Sequence, residues 1–140
     1  MKIYLCGRYS RRDNLRSVRA ELERLGHTVT SSWLDTEYEH KDDHGSSAAP
    51  AEYREEHAVK DLADVVAADC LIAFTEEPRS GGRGGRHVEF GAALALGKRL
   101  IVVGHRENLF CHHPTVEFFG GQWDMVRSLE LEAEERVVAP

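Results

Sequence analysis

The sequence predicts a single α/β domain, residues 1–140, built as a doubly wound parallel sheet of about five strands with helices on both faces. Short apolar runs alternate with stretches of helical period along the whole chain. Two of the runs, DCLIAFT (69–75) and KRLIVVG (98–104), are apolar without alternation, as strands covered on both faces are. The length, with 41% hydrophobic and 30% charged residues, suits one compact core. Right-handed crossovers between parallel strands then place helices on both sides of the sheet.

The first element, KIYLCG (2–7), is an apolar run closed by a glycine. Ser10, with Asp13 three residues on, is a helix start, and Leu15, Val18, Leu22 and Leu25 recur at helical spacing until Gly26 stops the helix. HTVTSSW (27–33) reads as a second strand, and the polar stretch 34–49 as an excursion over the ligand edge. Pro50 can open the next helix, with Ala58, Leu62, Val65 and Val66 expected on its buried stripe. After the strand at 69–75 come a glycine-rich loop and a helix from about Arg86 to Leu96, then the strand at 98–104. TVEFF (115–119) is a fifth short strand, and Trp123 to Glu135 a last helix turning Val126, Leu129 and Ala133 inward. The order is Rossmann- or flavodoxin-like, and in such sheets ligands bind beyond the carboxyl ends of the strands, here the loops 7–12, 33–49, 75–86 and 104–114.

Composition excludes several function classes. A formal charge of −6 argues against a nucleic-acid partner, which needs a basic face. No run of 18 apolar residues exists and MKIYLCGRYSRR lacks a signal-peptide pattern, so no membrane partner and a cytoplasmic location are expected. Cys6, Cys70 and Cys111 are odd in number and unrelated in spacing, as reduced core thiols are. HKDDH (40–44) and CHHP (111–114) carry ligand-type side chains, but neither has a zinc spacing, and no metal is assigned.

The stretch GGRGGRHVEFGAALALGK (81–98) carries the chemistry. A helix starting near Arg86 puts Glu89 in its first turn, where free N–H groups and the macrodipole favour a carboxylate. Ala92, Ala93 and Leu96 continue the same face, so Glu89 heads the side that packs on the sheet. A simple capping role is the alternative, though no Ser, Thr, Asp or Asn stands just before the helix to complete a capping box. Gly81, Gly82, Gly84 and Gly85 let backbone N–H groups approach an anion or a sugar, or form a turn only. The loop is neither a dinucleotide fingerprint nor a Walker loop. Asp61 and Asp69 stand about 12 Å apart along a helix, which sends Asp61 toward the ligand edge and leaves Asp69 as a turn residue. Asp61 also borders the buried stripe, where a carboxylate with a raised pKa can act as a general acid. Tyr9 and Trp33 come just after strand ends and can stack on a nucleobase or simply pack; His87 is assigned a loop contact.

MKIYLCGRYSRR, DLADVVAADCLIAF, GGRGGRHVEFGAALALGKRLIVVG and ENLF together resemble the nucleoside 2-deoxyribosyltransferase family, which includes nucleoside 5′-monophosphate N-glycosidases, over about residues 2 to 110. The resemblance implies that Glu89, in EFGAA, is the nucleophile that forms a glycosyl ester. It implies that Asp61 assists the departing base and that Tyr4 orients Glu89. Gly7, Tyr9, Trp33, Arg83, Gly84 and Gly85 would contact substrate, and Asn108 would reach a partner subunit's sugar site, making the protein a homodimer or larger. The chemistry needs no metal and no redox cofactor: a carboxylate beneath C1′ stabilises the oxocarbenium-like state and then bonds covalently.

One departure concerns the substrate. Six residues before the nucleophile the transferases typically carry an aspartate for the free 5′-hydroxyl, whereas this chain has Arg83, with Arg86 nearby. An arginine favours a phosphate, as the N-glycosidases would require. The partner is therefore a small-molecule nucleoside or nucleotide; a non-catalytic nucleotide sensor and an NAD glycohydrolase are the alternatives.

Overall fold

A computed structural model of the chain describes residues 1–36, 51–76 and 84–138. The strands are β1 (Lys2–Cys6), β2 (Thr28–Val29), β3 (Cys70–Phe74), β4 (Arg99–Val103) and β5 (Val116–Phe119). The helices are α1 (Arg12–Arg24), α2 (Ala51–Ala67), α3 (Gly85–Ala95) and α4 (Gln122–Val138). All strand pairs are parallel, in the order β2-β1-β3-β4-β5, so the sheet is the expected doubly wound, flavodoxin-like one. Every residue of β3 is buried, and Leu100 to Val103 of β4 are too, as their uninterrupted apolar runs require. Leu15, Val18 and Leu22 of α1, Phe90 and Ala93 of α3, and Met125, Val126 and Leu129 of α4 close the core. Cys6, Cys70 and Cys111 are all free thiols and all buried.

Four expectations change on contact with the structure. Strand β2 is two residues long rather than seven, and Trp33 lies in a 3-10 turn, Ser32–Asp35. Side chains replace the missing ladder: Leu5 N donates to Ser31 Oγ at 2.6 Å, and Trp33 Nε1 donates to Leu5 O at 2.9 Å. The β1 backbone is satisfied without a longer neighbour. Helix α1 starts at Arg12, after a 3-10 turn at Tyr9–Arg11, and no side chain caps it, so Ser10 is not its N-cap.

Helix α2 does not bury the stripe Ala58, Leu62, Val65, Val66: Val65 alone of the four is buried, while Leu62 and Val66 are 45% and 53% exposed. The inward stripe is Tyr53, His57, Asp61 and Val65, one residue earlier at each turn. A polar stripe can face inward because what it faces is a cleft rather than the sheet. Pro50 and most of the 34–49 excursion lie outside the described residues.

Finally, α3 begins at Gly85, so Glu89 is its fifth residue and sits beyond the first turn. Gly84, at φ +88°, makes the left-handed turn into the helix, a conformation that costs a glycine little.

Candidate active site

The chain leaves β1 toward the β2 edge and leaves β3 toward β4, so a crevice opens at the carboxyl ends of β1 and β3. A cleft of about 210 Å³ occupies it, lined by Gly7 and Tyr9 after β1, Trp33 and Thr36 after β2, His57 and Asp61 on α2, and Gly85, Arg86 and Glu89 on α3. Glu89, Asp61, Gly7, Tyr9, Trp33 and Gly85 are thereby brought together. Tyr4 lies beneath them, fully buried on β1, where burial and the Glu89 carboxylate raise the phenol well above its ordinary range.

Glu89 is the electrostatic centre. Burial pushes its carboxyl up to about 7, and the charge of Asp61 pushes it the same way, while the Tyr4 hydroxyl and the Cys6 thiol pull it down by hydrogen bonding. The helix position alone suggested a stabilised charge; desolvation dominates instead, because Glu89 is past the first-turn N–H groups. The Tyr4 hydroxyl itself is sealed, with no partner at ordinary hydrogen-bond geometry among the described residues. Cys6 is tied to the same helix by a 3.3 Å bond from its Sγ to Arg86 O.

Asp61 is raised by burial to about 6, with the charge of His57 opposing the rise. Its Oδ1 is buried with no hydrogen-bond partner among the described residues. Asp64, one turn on, holds α2 against the chain after β2, accepting from Ser32 N at 3.1 Å and Ser32 Oγ at 2.5 Å. His57 is held on its other side by Tyr53, the two ring centroids 3.9 Å apart. Sequence reasoning passed over His57; its place four residues before Asp61 was the available signal.

Tyr9 and Trp33 face one another with centroids 6.5 Å apart, tilted 42°. The Arg12 guanidinium lies 4.7 Å from the centre of the Tyr9 ring and bonds both Tyr9 Oη and Thr36 O. Trp33 is at once packed and lining, 9% exposed. A Cβ added at Gly7 would sit 3.1 Å from Leu15 Cδ1, close enough that the leucine must shift by a few tenths of an ångström; at Gly85 it would meet open space. Arg86 reaches the cleft but is paired with Glu107, both side chains nearly buried. Asn108 is on the far side of α3, accepts from Phe110 N at 3.0 Å and meets His87 Nδ1 at 3.5 Å, so it does not line this cleft. Asp69 accepts from Lys2 N at 2.8 Å, as a turn residue does. Arg83, Gly81, Gly82 and the HKDDH segment lie outside the described residues, whereas Gly84 stands just before α3. No helix among the described residues is long and apolar enough to cross a membrane.

The cleft thus presents two mutually repelling carboxylates, a histidine and two aromatic rings. Such a set can stabilise a developing positive charge, bond to a carbon centre and exchange protons near neutrality. No protein-family model matches the chain, and no curated protein matches its sequence. Among solved structures, it is similar to a 2-deoxyribosyltransferase from the psychrotolerant bacterium Bacillus psychrosaccharolyticus, with 24% identity and a TM-score of 0.68, covering 92% of this chain and 96% of that one. It is also similar to the CMP N-glycosidase BcmB of Clostridium botulinum, with 19% identity and a TM-score of 0.59, over 93% and 99% of the two chains. A conserved protein from Enterococcus faecalis V583 aligns at 16% identity and a TM-score of 0.61, over 94% and 98%. These likenesses establish a shared fold over nearly the whole chain.

Proposed function

We propose that this protein cleaves the N-glycosidic bond of a nucleoside or nucleoside 5′-monophosphate through a covalent intermediate on Glu89. The observation that carries this reading is a half-buried, desolvated carboxylate poised near neutrality in a cleft at the sheet's switch point, with a second carboxylate, Asp61, in the same cleft. The names of the first two structural neighbours, a 2-deoxyribosyltransferase and a CMP N-glycosidase, support the same chemistry.

In this mechanism an oxygen of ionised Glu89 attacks C1′ as the C1′–N bond breaks, and the bonding pair leaves with the base. Tyr4 orients the carboxylate from below. Tyr9 and Trp33 stack on the base, and Asp61 faces it as it departs. Transfer to a second base, or to water, then opens the ester with retention. Arg83 favours a 5′-phosphate. Arg86 adds little to that preference, its charge being engaged by Glu107. Asn108, turned away from its own cleft, fits donation to a second subunit's site in a homodimer.

Chromatography of base release tests the proposal, using deoxynucleosides, deoxynucleoside monophosphates and ribonucleotides, each with and without a second free base, beside Glu89→Ala. Release abolished by Glu89→Ala is expected. Release only from monophosphates, indifferent to the acceptor, would identify a hydrolase; exchange from unphosphorylated deoxynucleosides would identify a transferase and overturn the phosphate preference. Binding without any release would favour a nucleotide sensor, and NAD added to the same assay checks the glycohydrolase alternative.

A further inference from the structure

Arg86 and Glu89 stand three residues apart on α3, and both line the cleft. Side chains at that spacing are neighbours on a helix surface, so the guanidinium has the Glu89 carboxylate within reach. It pairs instead with Glu107, on the chain after β4, and both side chains of the pair are nearly buried. Two anchors bring that pair together. On one side, Cys6 at the end of β1 donates from Sγ to Arg86 O at 3.3 Å, which ties the Arg86 backbone to the sheet. On the other, Thr75 Oγ1, just after β3, donates to His105 O and accepts from His105 N, each at 2.6 Å. Gly104 permits this approach: its φ is +115°, and a Cβ there would lie 3.1 Å from both Thr75 O and Thr75 Oγ1. Glu107 is thus presented to Arg86 by a loop that is itself held to β3.

The consequence falls on the nucleophile. Among the described residues, the charged and titratable groups that face Glu89 or share its cleft are Tyr4 and Cys6 on β1, Tyr9 after it, His57 and Asp61 on α2, and Arg86 on α3 itself. A guanidinium paired with Glu89 would stabilise its charge and weaken it as a nucleophile. It would also set a positive charge beside C1′, where the transition state develops one. Resting on the reading above, in which Glu89 attacks C1′, we propose that Glu107 is a positioning residue for the cleavage, which holds the Arg86 guanidinium off Glu89 and leaves the nucleophile's charge free for the sugar. The Glu89 carboxyl, pushed up to about 7 by burial, behaves as a group with no such partner.

The test follows kcat against pH for wild type, Glu107→Gln and the double variant Glu107→Gln/Arg86→Met, on the best-cleaved member of the nucleoside and nucleotide panel, with thermal melts to confirm folding. Glu107→Gln releases the guanidinium, so the acid limb of the profile should move down by about one pH unit and the plateau kcat should fall about 10-fold. Adding Arg86→Met should return both toward the wild-type values, because no guanidinium is left to approach Glu89. Should Glu107→Gln fail to fold, Glu107→Asp, which keeps the charge on a shorter side chain, is expected to move the limb the same way by less. An acid limb that stays in place, a change confined to KM, or a kcat loss as large in the double variant as in the single one would overturn the assignment while leaving the glycosidic reading in place. A wild type that releases no base from any panel member would instead remove that reading, and the role of Glu107 with it.

Discussion

The two ends of the sheet treat buried charge in opposite ways. At the amino end, Arg99 at the start of β4 binds Glu117 on β5 through 2.7 and 2.9 Å bonds and Glu132 on α4 through 3.0 and 2.6 Å bonds. Every charge there has a partner: hydrogen bonds to the two carboxylates raise the guanidinium, and the bond from Arg99 holds Glu132 below its ordinary value. At the carboxyl end, Glu89 and Asp61 share a cleft, and the nearest arginine on α3 is already taken by Glu107. There both carboxyls rise. Equal chemistry is made inert in one place and proton-responsive in the other, and among the described residues the difference is whether a guanidinium pairs with the carboxylates.

The sharpest way to break this contrast is Glu89→Gln. Its activity should fall on the order of 10⁴-fold or more, read as base release, because the covalent bond proposed at Glu89 cannot form. Its stability should move the other way. In the folded chain Glu89 keeps its proton up to about 7, against an ordinary 4.5, so the folded state holds the extra proton in that window. Stability is therefore lost as pH rises from 4.5 through 7, and Glu89→Gln should recover up to about 3 kcal/mol above pH 7 and nothing below pH 4. Urea melts at pH 4 and pH 8 measure the difference.

Tyr4→Phe comes next. It removes the hydroxyl whose proximity lowers the Glu89 carboxyl, so the acid limb of the kcat profile should move to higher pH, with kcat at neutrality down about 10-fold. A limb that stays in place would mean that Tyr4 only fills space. Arg99→Met should leave kcat unchanged and cost about 1–2 kcal/mol by breaking the paired end, less at high salt, in a thermal melt. Asp61→Asn has the smallest predicted shift: without its charge the Glu89 limb should move to lower pH, by a fraction of a unit, even as base release slows.

The sheet was legible in the sequence because its strands are apolar without interruption, as in LIAF at 71–74 and LIVV at 100–103. Helix α3 was legible from its glycines, and Glu89 from the small-residue face of Ala92 and Ala93 that it heads. Strand β2 was not, because Ser31 and Trp33 take over its ladder through side chains, which no period reveals. Of the expected stripe Ala58, Leu62, Val65 and Val66 on α2, Val65 is buried, but the rest was misplaced by one residue because apolar spacing does not find the polar side chains beside it, which face a cavity. The state of Glu89 was misjudged for a related reason: position on a helix is written in the sequence, whereas dehydration depends on β1 and α2 arriving from 85 and 28 residues away. That same distance hid His57 as a residue lining the same cleft as Glu89.

The chain has two tryptophans, and they occupy unlike surroundings. Trp33 is 9% exposed in the cleft wall with its indole N–H on Leu5 O, whereas Trp123 is 53% exposed at the start of α4. Replacing Trp123 with phenylalanine would leave a single indole, excitable apart from the tyrosines at long wavelength, with one face on the ligand space. Its emission would then report occupancy of the cleft directly, in a stopped-flow cell, before any bond is broken.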